Sequence, residues 1–551
     1  MSERPTQVIA LAGGCLAAAL LLVWLVMRSG APKPDAPPPP EIAAPQPAVV
    51  TAAAPGATVA SADDRRPASG AALKYLQRLA KASSARPREA VLTFANAEAY
   101  QRFLARAHQL GLTVLGQLDG LLTARVRFDS LAGLADDLAA SAADYADVDA
   151  NFLVNIPLTP AKQDRAAQNL VPLGDHLLSF LGLVGDASQW GRGTTIAVLD
   201  SGVAADATFG QGRLRTLDVG LGTTPGTGVD DGHGTAVAAL AAGMTADAPG
   251  VAPAADLLSI RITDANGLSD VFTMAQAILA AVDAGAKIIN ISMGGYGTNS
   301  LLTSAIDYAD QHGAVIVASA GNDQAAQLTW PAADPRVVSV GAVDALEQQV
   351  NFSNSGPQLK LTAPGYGVQT AWLDGQRVYF DGTSASAPIV AGAIAAMMSA
   401  NPGMSATQAA QVLEQYASDG GAPGQDPDYG NGILNLGWAM GRNDPLRTDT
   451  AISSNYYDSA TGQMEFVVQN RSGIGVGGMV LSVDANGTTT TYSVPLLSPG
   501  ASYVVKMPVD QPQLTASGGI VYRTQLINPG TFIDQVPANN RKTSALSPPP
   551  K

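Results

Sequence analysis

Apolar residues run without a charge from Val8 to Met27, between Arg4 and Arg28. As a helix that length spans a bilayer, so residues 1–30 are predicted to form a single-pass membrane anchor. A cleaved signal sequence is the other reading, although no clear small-x-small site follows the run. Cys15, after Ala12-Gly13-Gly14, has the look of a lipoprotein site but sits mid-span. From 31 to 87 Pro and Ala dominate, Pro37 to Pro40 included, which predicts an extended spacer. Regular patterning then begins. Ala90 to Phe94 reads as a strand, and Asn96 as the N-cap of a helix reaching Leu110, with Tyr100, Phe103, Leu104 and Ala107 on one face. Strands over Leu112 to Leu118 and Leu121 to Phe128 flank Asp119-Gly120, a hairpin signal. Asp129-Ser130 caps a second helix through Ala140, and a last strand runs near Tyr145 to Val154. This β-α-β-β-α-β order over 88–155 predicts a ferredoxin-like α+β module.

Beyond about residue 160 the pattern changes. Short, wholly apolar strands (Thr195 to Leu199, Asp256 to Ile260, Lys287 to Ile291, Val315 to Ala318, Val337 to Val340) alternate with Ala-rich helices up to 442. Runs of this kind suit an α/β fold, a doubly wound and mostly parallel sheet covered on both faces. Over 445–545 the strands Gln463 to Val468, Met479 to Val483, Thr488 to Val494 and Ser502 to Met507 are separated by turns such as Asn486-Gly487. They predict a small all-β sandwich.

Composition removes several function classes. A net charge of −14 and the lack of any basic stripe argue against nucleic acid as a partner. The single cysteine allows no intrachain disulfide and no Cys-based metal site. With only four histidines, a proton shuttle near neutral pH has His108, His176, His233 and His312 to choose from.

Three segments place a polar residue among small ones at the end of an apolar element. Ile196-Ala-Val-Leu-Asp200 ends a buried strand in a carboxylate, which is costly to bury without a partner. Asp231-Gly-His233-Gly-Thr235 opens one helix, and Gly382-Thr-Ser384-Ala-Ser-Ala-Pro388 opens another. Acyl transfer by serine needs a hydroxyl, a base to take its proton and an anion to orient that base. Each of the three residues also has a plain structural reading: Ser384 as an N-cap, His233 as a loop histidine, Asp200 as a turn residue. A fourth segment, Ala318-Ser-Ala-Gly321-Asn322, ends a strand in a side-chain amide that can hold an oxyanion, worth about 3–4 kcal/mol of barrier.

Taken together, "AVLDSGV", "GHGT", "SAGN" and "GTSASAP" resemble the signature blocks of the subtilisin-like serine proteases, in the order Asp, His, Ser. Gly250-Val-Ala-Pro253, Asn290-Ile-Ser292-Met-Gly-Gly295 and Tyr429-Gly-Asn-Gly-Ile433 agree. The resemblance covers about residues 160 to 440. It implies Asp200 as the orienting carboxylate, His233 as general base and acid, Ser384 as nucleophile and Asn322 as oxyanion donor. It also implies Ser292 and Gly294 as the strand that binds protein or peptide substrate, and no cofactor for the chemistry. The module at 88–155 would be a propeptide that inhibits the active site until cleavage between about Asn151 and Gln168. Ala236 departs from the histidine common after "HGT". The stretch from Ala241 to Pro249 is short for the family's calcium loop, which leaves structural calcium without support. The protease is expected at the cell membrane facing the periplasm or exterior, or else secreted. An α/β-hydrolase would need G-x-S-x-G, which is absent around Ser384. A catalytically inactive scaffold is the alternative of a different class, although such a protein usually loses one of these polar residues.

Overall fold

The computed structural model describes residues 84–157, 170–183, 185–226, 229–264 and 266–548. The predicted anchor at Val8–Met27, Cys15 and the spacer as far as residue 83 lie outside the described residues. So does most of the window in which cleavage is expected.

The centre of the fold is a seven-stranded sheet in the order Leu361–Pro364, Val338–Val343, Val315–Ser319, Ile288–Ile291, Thr195–Asp200, Asp256–Arg261, Leu214–Leu217. Every neighbouring pair is parallel. Side chains leave a strand alternately to its two faces, and both faces are buried here. Ile196 and Val198 join the core beneath helices His233–Ala242 and Thr383–Ala400, whereas Ala197 and Leu199 join the core with Val271–Asp283 and Ser300–Gln311. That double coverage explains why the strands are apolar without alternation. Thr383–Ala400 is long and apolar enough to cross a membrane, but most of it is buried, as befits a core helix.

The N-terminal module has the ferredoxin-like order Tyr145–Asn155, Ala85–Phe94, Thr123–Phe128, Leu112–Leu118, all antiparallel. Asn96 caps the first helix, Ala97–Arg106, by accepting from the Ala99 N–H. Three details correct the sequence expectations. The first strand starts at Ala85, inside the stretch assigned to the spacer. The expected two-residue hairpin at Asp119-Gly120 is a 3-10 turn over Asp119–Leu121, with Leu122 rather than a glycine in the left-handed region (φ 49°). Asp119 is held there by the Tyr100 hydroxyl at 2.8 Å. The second helix, Ala132–Ala140, starts at Leu131 without a side-chain cap of the usual kind, Ser130 Oγ accepting from the Ala132 N–H instead.

After Gly441 the chain forms two antiparallel sheets. One holds Thr450–Asp458, Gln463–Asn470 and Ser502–Pro508. The other holds Thr488–Ser493, Val480–Ala485, Ile520–Ile527 and Arg541–Leu546. They share a core of Met464, Phe466, Leu481, Val483, Val505, Tyr522 and Leu526.

Candidate functional site

Strands of one parallel sheet all point their carboxyl ends to the same edge, where open α/β sheets gather their reactive groups. Asp200 is the last residue of its strand and is fully buried. His233 is the first residue of helix His233–Ala242, and its Nδ1 lies 2.8 Å from Asp200 Oδ1. The same oxygen accepts the Ser201 N–H at 2.7 Å. Asp200 Oδ2 is buried and has no hydrogen bond among the described residues. Gly234 lets the helix approach this closely, since a Cβ there would lie 2.3 Å from the Gly202 carbonyl oxygen. Phe380 meets the histidine ring edge-on, with centroids 5.2 Å apart.

Ile288–Ile291 is the adjacent strand, and just past its end Ser292 exchanges contacts with Ser384. Ser384 Oγ donates to the Ser292 carbonyl at 3.1 Å, and Ser292 Oγ donates to the Ser384 carbonyl at 3.1 Å. Ser384 is the second residue of helix Thr383–Ala400, where the helix dipole favours negative charge. Gly382 enters that helix at φ 115°, a region that other residues avoid. Asn322 follows the next strand, Val315–Ser319, and its Oδ1 accepts from the Thr383 N–H (2.9 Å) and Thr383 Oγ1 (2.8 Å). With its acceptor thus engaged, Asn322 is left to present its amide N–H₂ to the site.

The cleft beside these groups is occupied by the chain itself. The last strand of the N-terminal module pairs with Leu268–Asp270, from Leu153↔Asp270 to Asn155↔Leu268. On its other side Asn155 and Gly294 exchange both backbone hydrogen bonds, each at 3.0 Å. Asn322 Nδ2 then donates to the Pro157 carbonyl oxygen at 3.4 Å. Glycines make room for this strand: a Cβ on Gly295 would lie 2.5 Å from the Leu153 carbonyl oxygen, and one on Gly297 would lie 2.2 Å from the Phe152 ring.

Of the predicted residues, Asp200 and His233 touch, Ser384 and Ser292 touch, and Gly294 pairs with a peptide strand. No hydrogen bond joins Ser384 to His233 among the described residues. Sequence reasoning missed Thr383, which aims Asn322, and Leu268–Asp270, a three-residue strand with no apolar run to mark it. It also missed Pro157, whose position depends on pairing far along the chain. Among the described residues no group of three or more His, Cys, Asp or Glu is arranged to hold a metal ion.

Residues 191–432 match the subtilase family, peptidase S8. A thermostable alkaline protease of Halalkalibacterium halodurans is 33% identical over 252 residues, 45% of this chain and 68% of that protein. Subtilisin Savinase of Lederbergia lenta is 32% identical over 247 residues, 44% of this chain and 90% of its own length. The chain belongs to the subtilase family. It is a serine endopeptidase, a hydrolase acting on protein substrates. A likeness of fold extends further: fervidolysin of Fervidobacterium pennivorans, a keratinolytic enzyme related to subtilisin, superposes with a TM-score of 0.56 at 20% identity, over 84% of this chain and 76% of that one.

Proposed function

We propose that this subtilase hydrolyses peptide bonds through an acyl-enzyme formed on Ser384, and that it is made as a precursor that processes itself. Ser384 Oγ attacks the carbonyl carbon of the bound peptide, and its proton passes to His233. Asp200 holds the imidazole by Nδ1, so that Nε2 is the nitrogen facing the reaction, and steadies the imidazolium that forms. Asn322 Nδ2 and the Ser384 backbone N–H donate to the tetrahedral oxygen, the amide alone contributing about 3–4 kcal/mol. His233 returns the proton to the leaving amine, and water hydrolyses the ester. Gly294 binds the substrate main chain as an added β-strand. No step asks for a cofactor.

The observation that supports this reading is the buried Asp200–His233 contact on the same sheet edge as Ser384 and Asn322. A strand of the N-terminal module lies where substrate would lie, which supports the module at 88–155 as an inhibitory propeptide. The proposed location is the cell membrane, with Val8–Met27 as anchor and the protease body on the periplasmic or outer side, or else secretion. A fluorophosphonate probe tests the chemistry: labelling at Ser384, lost in His233→Ala, is expected. Equal labelling in both proteins would remove His233 from the mechanism.

A further inference from the structure

We infer that the peptide bond following Pro157 is the first bond this protease cuts, and that the proline itself slows the cut. The inference rests on the self-processing reading above and specifies its position and its rate. Asn155 and Gly294 form a doubly bonded antiparallel pair. Such pairs recur at every second residue of an antiparallel ladder, so the next one along sets Pro157 opposite Ser292. Asn322 donates to the Pro157 carbonyl, the oxygen that turns negative if this carbonyl is attacked. The register is held from both sides, because Leu153, Val154 and Asn155 also pair with Leu268–Asp270.

At the position opposite Ser292 any ordinary residue would give its backbone N–H to the Ser292 carbonyl. Proline has none. That carbonyl instead accepts the Ser384 hydroxyl at 3.1 Å, which ties the nucleophile to an acceptor other than His233. The Asn322–Pro157 contact, at 3.4 Å, is longer than a good N–H···O bond. The scissile carbonyl is therefore in position while the nucleophile is held elsewhere. When the reaction does occur, Ser384 Oγ bonds to the Pro157 carbonyl carbon and its proton moves to His233. The bond to the Leu158 nitrogen breaks, and that nitrogen takes the proton from His233. Water then splits the ester, leaving a carboxyl-terminal Pro157 and a free Ser384 hydroxyl.

The experiment follows the purified full-length chain by gel, intact mass and amino-terminal sequencing. Wild-type protein is expected to give a new amino terminus at Leu158. Pro157→Ala and Pro157→Gly each restore an N–H to compete for the Ser292 carbonyl. Both are expected to be cut at the same bond about tenfold faster, the worth of one hydrogen bond. A wild-type chain that hydrolyses an added peptide through Ser384 but begins at another residue overturns this inference alone. Unchanged or slower cutting in both variants overturns the role of the proline. Cleavage after Pro157 that persists in Ser384→Ala overturns the self-processing reading itself.

Discussion

Two modules cover the protease body, and their contacts are built differently. The N-terminal module meets it through backbone pairing, polar side chains and an apolar seam, its buried residues forming one hydrophobic cluster with Phe272, Met274 and Leu301 of the body. Arg86 reaches Asp264 (3.0 Å) and Asp270 (3.1 Å), Asn151 Oδ1 accepts the Phe272 N–H at 3.1 Å, Asn299 Nδ2 donates to the Ala150 carbonyl at 3.1 Å, and Ser300 bonds Asp147. The helices beneath it already carry their own caps, Asp270 accepting from Thr273 and Asn299 from Leu302. Most of these polar groups can turn to water when the cover leaves, although apolar residues such as Phe272 would be bared with them. The C-terminal module instead closes over Trp438 with Arg471, a residue only 6% exposed whose Cζ lies 5.3 Å from the ring centroid. Burial lowers the pKa of Arg471 against the pull of Asp449 and Glu347, and its Nη2 donates to Gln469 at 2.9 Å. Arg447 adds bonds to the Gly437 and Arg471 carbonyls, and Lys542 pairs with Glu347 at 2.7 Å. Separating that surface would give up the stacking of Arg471 on Trp438 and the Lys542–Glu347 pair. The proposed processing would free the first cover and leave the second in place.

The sharpest way to separate the two is Ser384→Ala. It is expected to lower peptide hydrolysis by a factor of about 10⁴ or more. The N-terminal module should then remain covalently attached, with the melting of the C-terminal module unchanged. Peptide assays and gels read the first two effects, and calorimetry the third. Next in size is Arg471→Ala, which removes the stacking over Trp438 and bares buried polar partners. A loss of about 3 kcal/mol, or about 8 °C in Tm, is expected. An unaltered melting curve would mean that the C-terminal cover is not anchored at this point.

The unequal character of the two covers also explains what the chain disclosed before folding. The central strands were readable because both faces are buried: the run Thr195 to Leu199 became Thr195–Asp200, and Val315 to Ala318 became Val315–Ser319. The strands that escaped are at edges or mixed in character. Leu214–Leu217 carries Arg and Thr to solvent, Leu361–Pro364 ends on proline, and Thr450–Asp458 and Arg541–Leu546 have too few apolar positions to stand out. Asp200, His233, Asn322 and Ser384 were visible through the small residues around them, which close backbone approach demands at Gly234 and a positive φ at Gly382. Thr383 and Pro157 were not, because each acquires its part from a residue distant in sequence: Thr383 from Asn322, Pro157 from both Asn322 and the register set by Gly294.

A smaller effect is expected from Asn151→Ala, which deletes the bonds to Phe272 and Glu89 on the detachable side. After processing, activity on an added peptide should appear about tenfold sooner, as the inhibitory segment leaves more easily. An unchanged lag would show that strand pairing with Leu268–Asp270 alone sets the release rate.

The smallest expected effect is on the permanent side, at Asp419. Its loop bonds to the C-terminal module through Ser454 Oγ and the Gly421 carbonyl at 2.6 Å. Burial raises the Asp419 pKa to about 6, Asp426 adds to the rise, and the Gly424 N–H and the charge of Arg471 oppose it. A carboxyl with a folded pKa above its unfolded value binds its proton more tightly in the native state. It therefore contributes stability that is complete below about pH 4 and is lost as pH rises through about 6. Asp419→Asn keeps an oxygen for the Gly424 N–H and cannot ionise. In a Ser384→Ala background, which excludes self-digestion, the variant should match its parent near pH 4. It should melt about 3 °C higher at pH 8, for roughly 1 kcal/mol. Equal melting temperatures at pH 8 would mean that Asp419 ionises there at no cost, and that the C-terminal cover admits water at this loop.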